Sequence, residues 1–134
     1  LETFTRKNAP TVRVTVETGE TGAAALRVSS GLYDASFLAT RDKYAYFLGG
    51  NNPVVTIDTG LRNGRTLLLV KDSFAHSFAL FLTAHFERVI LADPRYCRDG
   101  FARFFRENDV TDVLFLYSAV QLANDRNLFY LRFI

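Results

Sequence analysis

Cysteine, histidine, methionine and tryptophan are scarce or missing: the 134 residues hold one Cys, two His, no Met and no Trp. A single Cys, Cys97, excludes an internal disulfide and a Cys-based metal cluster, and His76 and His85 are a thin supply of zinc ligands. Neither a metal nor a cofactor is therefore expected. Cys97 reads as inert, and its solitude leaves the redox compartment open. Long apolar runs are also missing. Phe78-Ala79-Leu80-Phe81-Leu82 falls far short of the roughly 18 to 20 residues that cross a bilayer, so no membrane insertion of this segment is expected. Charge of one sign is lacking too: 16 Lys and Arg against 14 Asp and Glu give +2. The basic residues are scattered and leave no footprint for nucleic acid or a membrane surface. Because it begins Leu1-Glu2-Thr3 and contains no Met, the chain reads as a fragment from which an upstream leader, anchor or region has been removed.

What is present is an ordinary apolar fraction of 49% with 13 Phe. That excludes disorder and fits one domain over 1–134. The first third reads as strand and loop. Thr11 to Thr18 alternates β-branched and polar residues, the mark of an edge or antiparallel strand, and Gly19-Glu20-Thr21-Gly22 ends it. Ala23 to Val28 is a short strand or turn, and Ser29 to Asp34 is rich in turn formers. Rings cluster between Tyr33 and Phe47, read as core or interface. Gly49-Gly50-Asn51-Asn52-Pro53 then breaks the chain before a strand at Val54 to Ile57.

The remainder alternates. Arg65 to Val70 is a continuous apolar strand and runs through Lys71-Asp72-Ser73 into a helix. In that helix Phe74, Phe78, Phe81, Leu82 and His85 recur at three- and four-residue steps, predicting an inward apolar stripe. Val89 to Ala92 is the next buried strand. Gly100 to Glu107 reads as a helix with Phe101, Phe104 and Phe105 inward, and Val113 to Tyr117 as a third strand. Strand and helix in alternation imply right-handed crossovers and an α/β three-layer sandwich with a mostly parallel sheet. Ligands of such sheets sit beyond the carboxyl ends of the strands. Lys71-Asp72-Ser73, Asp93-Pro94-Arg95-Tyr96 and Tyr117-Ser118 are therefore expected on one rim.

Ser73 stands where a buried strand turns into a helix, a setting that exposes a hydroxyl beside helix N-terminal amides. Such a serine attacks an ester carbonyl when a base removes its proton. On residue type alone the plainer reading is a helix cap by Asp72 or Ser73. His76 reads as a surface or rim histidine and His85 as a partner of the helix C-terminus, so neither is an evident base. Asp93 and Asp58 read as loop caps or solvated charge. Asn51 or Asn52 is a candidate oxyanion donor, against the plainer reading of a turn. Arg95 has the fork to bind an acyl oxygen or a uronate-like carboxylate, or to pair with Asp93 or Asp99. Tyr117 lines the same cleft or packs.

The longer pattern resembles a known family. Asp42-Lys43-Tyr44-Ala45-Tyr46-Phe47-Leu48-Gly49-Gly50-Asn51-Asn52, Leu68 to Phe78 with its Lys71-Asp72-Ser73-Phe74 core, Asp93-Pro94-Arg95-Tyr96 and Thr111-Asp112-Val113-Leu114 look like the C-terminal part of bacterial DHHW proteins. Those are relatives of the SGNH hydrolase-like alginate O-acetylation proteins. The likeness covers about residues 30 to 130, and 1–29 is a strand and loop extension outside it. It implies a flavodoxin-like SGNH fold, incomplete in this fragment, with Ser73 as the serine of the Asp-Ser-Phe/Tyr motif. The family's upstream Asp-x-His segment does not occur between Leu1 and Lys71.

The implied function is an acyl-ester hydrolase or O-acetyltransferase domain acting on a cell-envelope or exported polysaccharide. Ser73 is its expected nucleophile, Asp72 shapes the turn, and Asn51, Asn52, Arg95 and Tyr117 bind substrate. The chain as given lacks its base and is expected to be inactive. A non-catalytic glycan-binding or envelope-scaffolding domain is the alternative. A nucleotide-binding domain ranks last, because no Gly-rich phosphate loop follows Leu67 to Val70.

Overall fold

The computed structural model describes residues 12–18, 25–29, 31–97 and 101–133. The expected Gly19 to Gly22 turn and Asp99 lie outside them. In chain order the elements are β1 (Arg13–Thr18), β2 (Ala25–Ser29), β3 (Val54–Asp58), β4 (Thr66–Lys71), α1 (Ala75–Leu82), β5 (Arg88–Ala92), α2 (Ala102–Glu107), β6 (Asp112–Leu116) and α3 (Ala119–Asn124). Short 3₁₀ turns span Ala35–Ala39, Lys43–Tyr46 and Arg126–Phe133. The strands form one open sheet in the order β2-β1-β3-β5-β4-β6.

The sheet is an α/β sheet in two halves. β4 pairs in parallel with β5 and β6, as the strand and helix alternation predicts. The pairs β1·β2, β1·β3 and β3·β5 are antiparallel. Parallel pairing is thus confined to the half whose strands are joined by helices, and the expectation of a mostly parallel sheet is corrected there. Parallel neighbours need a crossover such as α1 or α2, whereas β1 and β2 follow one another without a helix and pair antiparallel.

Period-two alternation sends successive side chains to opposite faces. Leu67, Leu69, Val89, Leu91, Val55, Ile57, Val14 and Val16 join Ala75 and Ala79 of α1 in one core. Leu68, Val70, Ile90, Ala92 and Val54 join Phe101 and Phe104 beside α2 in the other. Leu67 to Val70 are all essentially inaccessible, and full burial of each such side chain is worth about 1.5–3 kcal/mol. β4, covered on both faces and paired on both edges, is the centre of the fold.

Two apolar faces compete on α1, and of the predicted inward stripe only Leu82 packs against the core. Ala75, His76 and Ala79 are buried, whereas Phe74, Phe78 and Phe81 are 68%, 44% and 70% exposed. Both sets repeat at helical spacing, so periodicity alone does not separate them. The small Ala75 and Ala79 let the helix lie close on β4 and β5, where three Phe rings have no room. On α2, Phe101 and Phe104 point inward as expected, but Phe105 is exposed.

The connections locate the site. β4 leads through α1 to its neighbour β5, and β5 leads through α2 back across β4 to β6. With right-handed crossovers, reversing direction places the two helices on opposite faces. The chain therefore leaves the adjacent β4 and β5 toward opposite sides, which makes their carboxyl ends the topological switch point at which ligands of α/β sheets bind. β3 runs the other way, so its leading loop, Gly49 to Pro53, arrives at that same rim, with Asp93 N–H donating to the Pro53 carbonyl at 3.0 Å.

Candidate functional site

The turn from β4 into α1 is held by Asp72. Its buried carboxylate accepts from Phe74 N at 2.9 Å and from Ser118 N at 2.8 Å, tying the start of α1 to the end of β6. Ser118 in turn caps α3 by accepting from Gln121 N at 3.2 Å. Ser73 is half-buried in this turn, and its hydroxyl makes no hydrogen bond among the described residues. Capping is therefore not its task. The residue preceding α1, Phe74, also offers no side-chain cap.

Beside this turn lies a buried polar cluster. Lys71, last residue of β4, is fully buried. Its Nζ lies 3.0 Å from Asn51 Oδ1, 2.9 Å from His76 Nε2 and 3.5 Å from Asp93 Oδ2. Burial lowers the Lys71 pKa and the Asp93 charge opposes that fall. The same burial, reinforced by Lys71, lowers His76 from 6.5 to about 3. His76 is consequently neutral at physiological pH, and its Nδ1 is buried without a partner among the described residues. Tyr44 covers it: the ring stacks on His76 with centroids 5.8 Å apart, while its hydroxyl donates to Phe74 O at 2.8 Å.

Asp93 is the cluster's carboxylate. It is fully buried rather than a solvated charge, caps its loop as the other sequence reading has it by accepting from Arg95 N at 3.1 Å, and meets the Arg95 side chain through Nε at 2.9 Å and Nη2 at 2.6 Å. That pairing raises the Arg95 pKa further. Side-on bonding through Nε and Nη2 leaves the end-on edge of the guanidinium open, and its side chain is 26% exposed. Arg95 is thus a fixed cation on the rim, not a mobile arm.

The remaining predicted residues separate. Asn52 spends its amide inward, donating to Leu48 O at 3.3 Å and Gly50 O at 3.0 Å. Those bonds brace Leu48, Gly49 and Gly50, which have φ of 59°, 73° and 98°, a conformation that costs a non-glycine residue about 1–2 kcal/mol. Asn52 belongs to the turn. Asn51 is exposed and faces Lys71. Tyr117 packs against the α2-side core, its hydroxyl buried without a partner among the described residues and its pKa raised by burial. Cys97 is buried, and burial pushes the thiol up to about 12.

The structure brings Lys71, His76, Asp93, Arg95 and Asn51 together, and Tyr44 with them. Sequence reasoning set His76 on the surface and gave Lys71 no role. A lysine completing a wholly apolar strand was the available signal, since burying its charge demands partners. His85, exposed after α1, is far along the helix from Ser73. Among the described residues no group of three or more His, Cys, Asp or Glu is placed to hold a metal. No helix among them is long and apolar enough to cross a membrane.

With this geometry, solved structures give the relationship. The chain is similar to a DHHW family protein. That protein, from Eubacterium siraeum, matches with a TM-score of 0.67 at 25% identity over 89% of this chain and 39% of its own. PatB1 of Bacillus cereus matches with a TM-score of 0.69 at 22% identity, over 86% of this chain and 38% of its own. PatB1 carrying a sulfonyl adduct matches with a TM-score of 0.67 at 21% identity, over 86% and 39%. At those identities PatB1 shows the fold alone. The chain spans about two fifths of the length of these structures. No family model and no curated protein matches the sequence.

Proposed function

We propose that this is an SGNH-like acyl-ester hydrolase or O-acetyltransferase domain acting on a cell-envelope or exported polysaccharide, with Ser73 as nucleophile. One observation carries it: a hydroxyl without a hydrogen bond among the described residues stands in the strand-to-helix turn at the topological switch point. Similarity to a DHHW family protein supports it. So does the sulfonyl adduct on PatB1, since sulfonylating reagents attach to nucleophilic side chains.

In the reaction, Ser73 Oγ forms a bond to the acyl carbon while a base takes its proton. The carbonyl becomes an oxyanion, the ester C–O bond breaks, and the departing sugar oxygen takes the proton back. Water or a second hydroxyl then releases the acyl group. Asp72 fixes the turn, and Arg95 offers its open edge to an acyl oxygen or a uronate-like carboxylate. Among the described residues neither histidine is placed as that base. His76 Nε2 is committed to Lys71 and its Nδ1 is enclosed, and His85 lies beyond the other end of α1. An Asp-x-His segment from elsewhere would supply it, and its absence costs a serine enzyme several orders of magnitude in rate.

Imidazole stands in for that base. Phenylmethanesulfonyl fluoride with increasing imidazole is expected to sulfonylate Ser73 at a rising rate, read by peptide mass mapping, and Ser73→Ala is expected to abolish the adduct. Adducts elsewhere, or none, overturn the nucleophile. The engagement of His76 Nε2 by Lys71, with Nδ1 buried, favours a second reading, a non-catalytic domain binding the same glycan. It would be supported by saturable binding of acetylated polysaccharide with Ser73 unlabelled.

A further inference from the structure

We infer that the excursion between β2 and β3, residues 31–50, forms an aromatic wall whose Tyr33 and Tyr46 bind a pyranose ring of a β-1,4-linked glycan beside the Ser73 turn. This rests on the glycan-modifying reading of that turn and deepens it, because it names the sugar face recognised and the residues that recognise it.

The excursion is tied together through its backbone. Tyr33 pairs with Phe47 in an antiparallel bridge, Asp34 N–H donates to Tyr46 O at 2.8 Å, and Leu48 N–H donates to Leu32 O at 3.1 Å. Asp34 and Asp42 cap its 3₁₀ turns by accepting from Ser36 N and Ala45 N. Its side chains bury little. Only Ala45 and Leu48 are buried in it, so Tyr33, Tyr44, Tyr46 and Phe47, read from the sequence as core or interface, keep part of their surface in water. The rings pack on one another instead. Centroids lie 5.0 Å apart for Tyr33 and Tyr46, 5.4 Å for Tyr46 and Phe47, and 5.6 Å for Tyr44 and Phe47.

Tyr44 fastens this wall to the candidate site. Its hydroxyl donates at 2.8 Å to the carbonyl of Phe74, the residue directly after Ser73, and accepts from Ser77 N at 3.4 Å. That hydroxyl is thereby spent. Those of Tyr33 and Tyr46 make no hydrogen bond among the described residues. Burial first, and then the neighbouring Tyr46, raise the Tyr33 pKa, so the two phenols feel one another. Tyr33 is nevertheless 39% exposed.

Two adjacent rings with uncommitted phenols call for a ligand that combines a flat apolar face with an edge of hydroxyls. A lipid chain or an apolar helix supplies only the face. Arg41, Asp42 and Lys43, next to Tyr44, are all exposed, whereas the cores of protein interfaces are depleted in charge. A pyranose with every substituent equatorial supplies both parts: axial C–H groups for the rings, hydroxyls for the phenols. Aromatic lining with a few polar groups that fix orientation is the general form of a small-ligand site.

Chitotetraose, whose β-1,4-linked rings carry their substituents equatorially, is the probe. Maltotetraose, whose α-linkages curl the chain away from a flat face, is the control. In ¹H–¹⁵N titrations of this chain, chitotetraose is expected to shift the amides of Tyr33, Tyr44, Tyr46 and Phe47 saturably. Maltotetraose is expected to bind at least about tenfold more weakly. Tyr33→Ala is expected to weaken chitotetraose binding by about tenfold or more, as truncation of an aromatic anchor does. Tyr33→Phe with Tyr46→Phe keeps both rings and their packing, and is expected to weaken it about tenfold through two lost hydrogen bonds. Shifts confined to other residues, equal binding of maltotetraose, or unchanged affinity in either variant overturns the inference. The titration needs no reaction at Ser73, so the two readings fail separately. Shifts in the wall beside an unlabelled Ser73 leave the sugar site standing and remove the nucleophile. A labelled Ser73 beside silent amides in the wall does the reverse.

Discussion

Asp93 carries more of this fold than its place after a strand suggests. Both Lys71 and Arg95 lean on it, and its side chain and that of Lys71 have no exposure at all. Removing one partner of a buried pair leaves the other charge uncompensated, so Asp93→Asn is expected to lower stability by about 3–5 kcal/mol in urea denaturation. His76 adds a pH dependence whose sign follows from its environment. It faces Lys71, Arg95, Asp93 and Asp72, and its pKa falls from 6.5 to about 3 on folding. Between those values the unfolded chain binds more protons. His76 therefore contributes stability fully present above pH 6.5 and lost as pH falls toward 3, on the order of 4 kcal/mol across the window. His76→Gln retains an acceptor for Lys71 and is expected to flatten the urea midpoint between pH 7 and pH 4 relative to the unsubstituted protein.

Among the elements, α1 separates what faces the sheet from what merely repeats at the right spacing. Ala79 is fully buried against the strands. Ala79→Leu should therefore overpack that contact and cost about 1–3 kcal/mol. Phe81 is 70% exposed, so Phe81→Ser should change the urea midpoint by no more than about 0.5 kcal/mol. The opposite ranking would mean that the Phe face is the inner one. The existence of α1, its place after β4 and the turn at Asp72 and Ser73 were all legible from an apolar run followed by helical periodicity. Its orientation was not, because two apolar stripes satisfy one period and only the spacing available above the sheet chooses between them.

For the whole molecule, pairing and burial rank the strands. β4 and β5 each have a neighbour on both edges and little exposed surface, whereas β6 is paired on one edge only and exposes Val113 and Phe115. Native-state hydrogen exchange is accordingly expected to protect β4 and β5 amides at least about tenfold more than those of β6. Equal protection in β6 would show that its open edge is covered in solution.

The sequence by itself determined the local chemistry of this protein. Continuous apolar strands, their alternation with helices, and a serine at the strand-to-helix turn follow from side-chain size and polarity within a few neighbouring residues. What only the tertiary structure decided were the partnerships across the chain. Asn51, Lys71, His76 and Asp93 are separated by up to 42 positions in sequence and meet at one rim because β3 runs antiparallel and the crossover reverses direction between β4 and β5. No local pattern encodes such a meeting. A buried charge must find its partners wherever the fold places them, and that placement assigned Asn52 to a turn and Asn51 to the lysine.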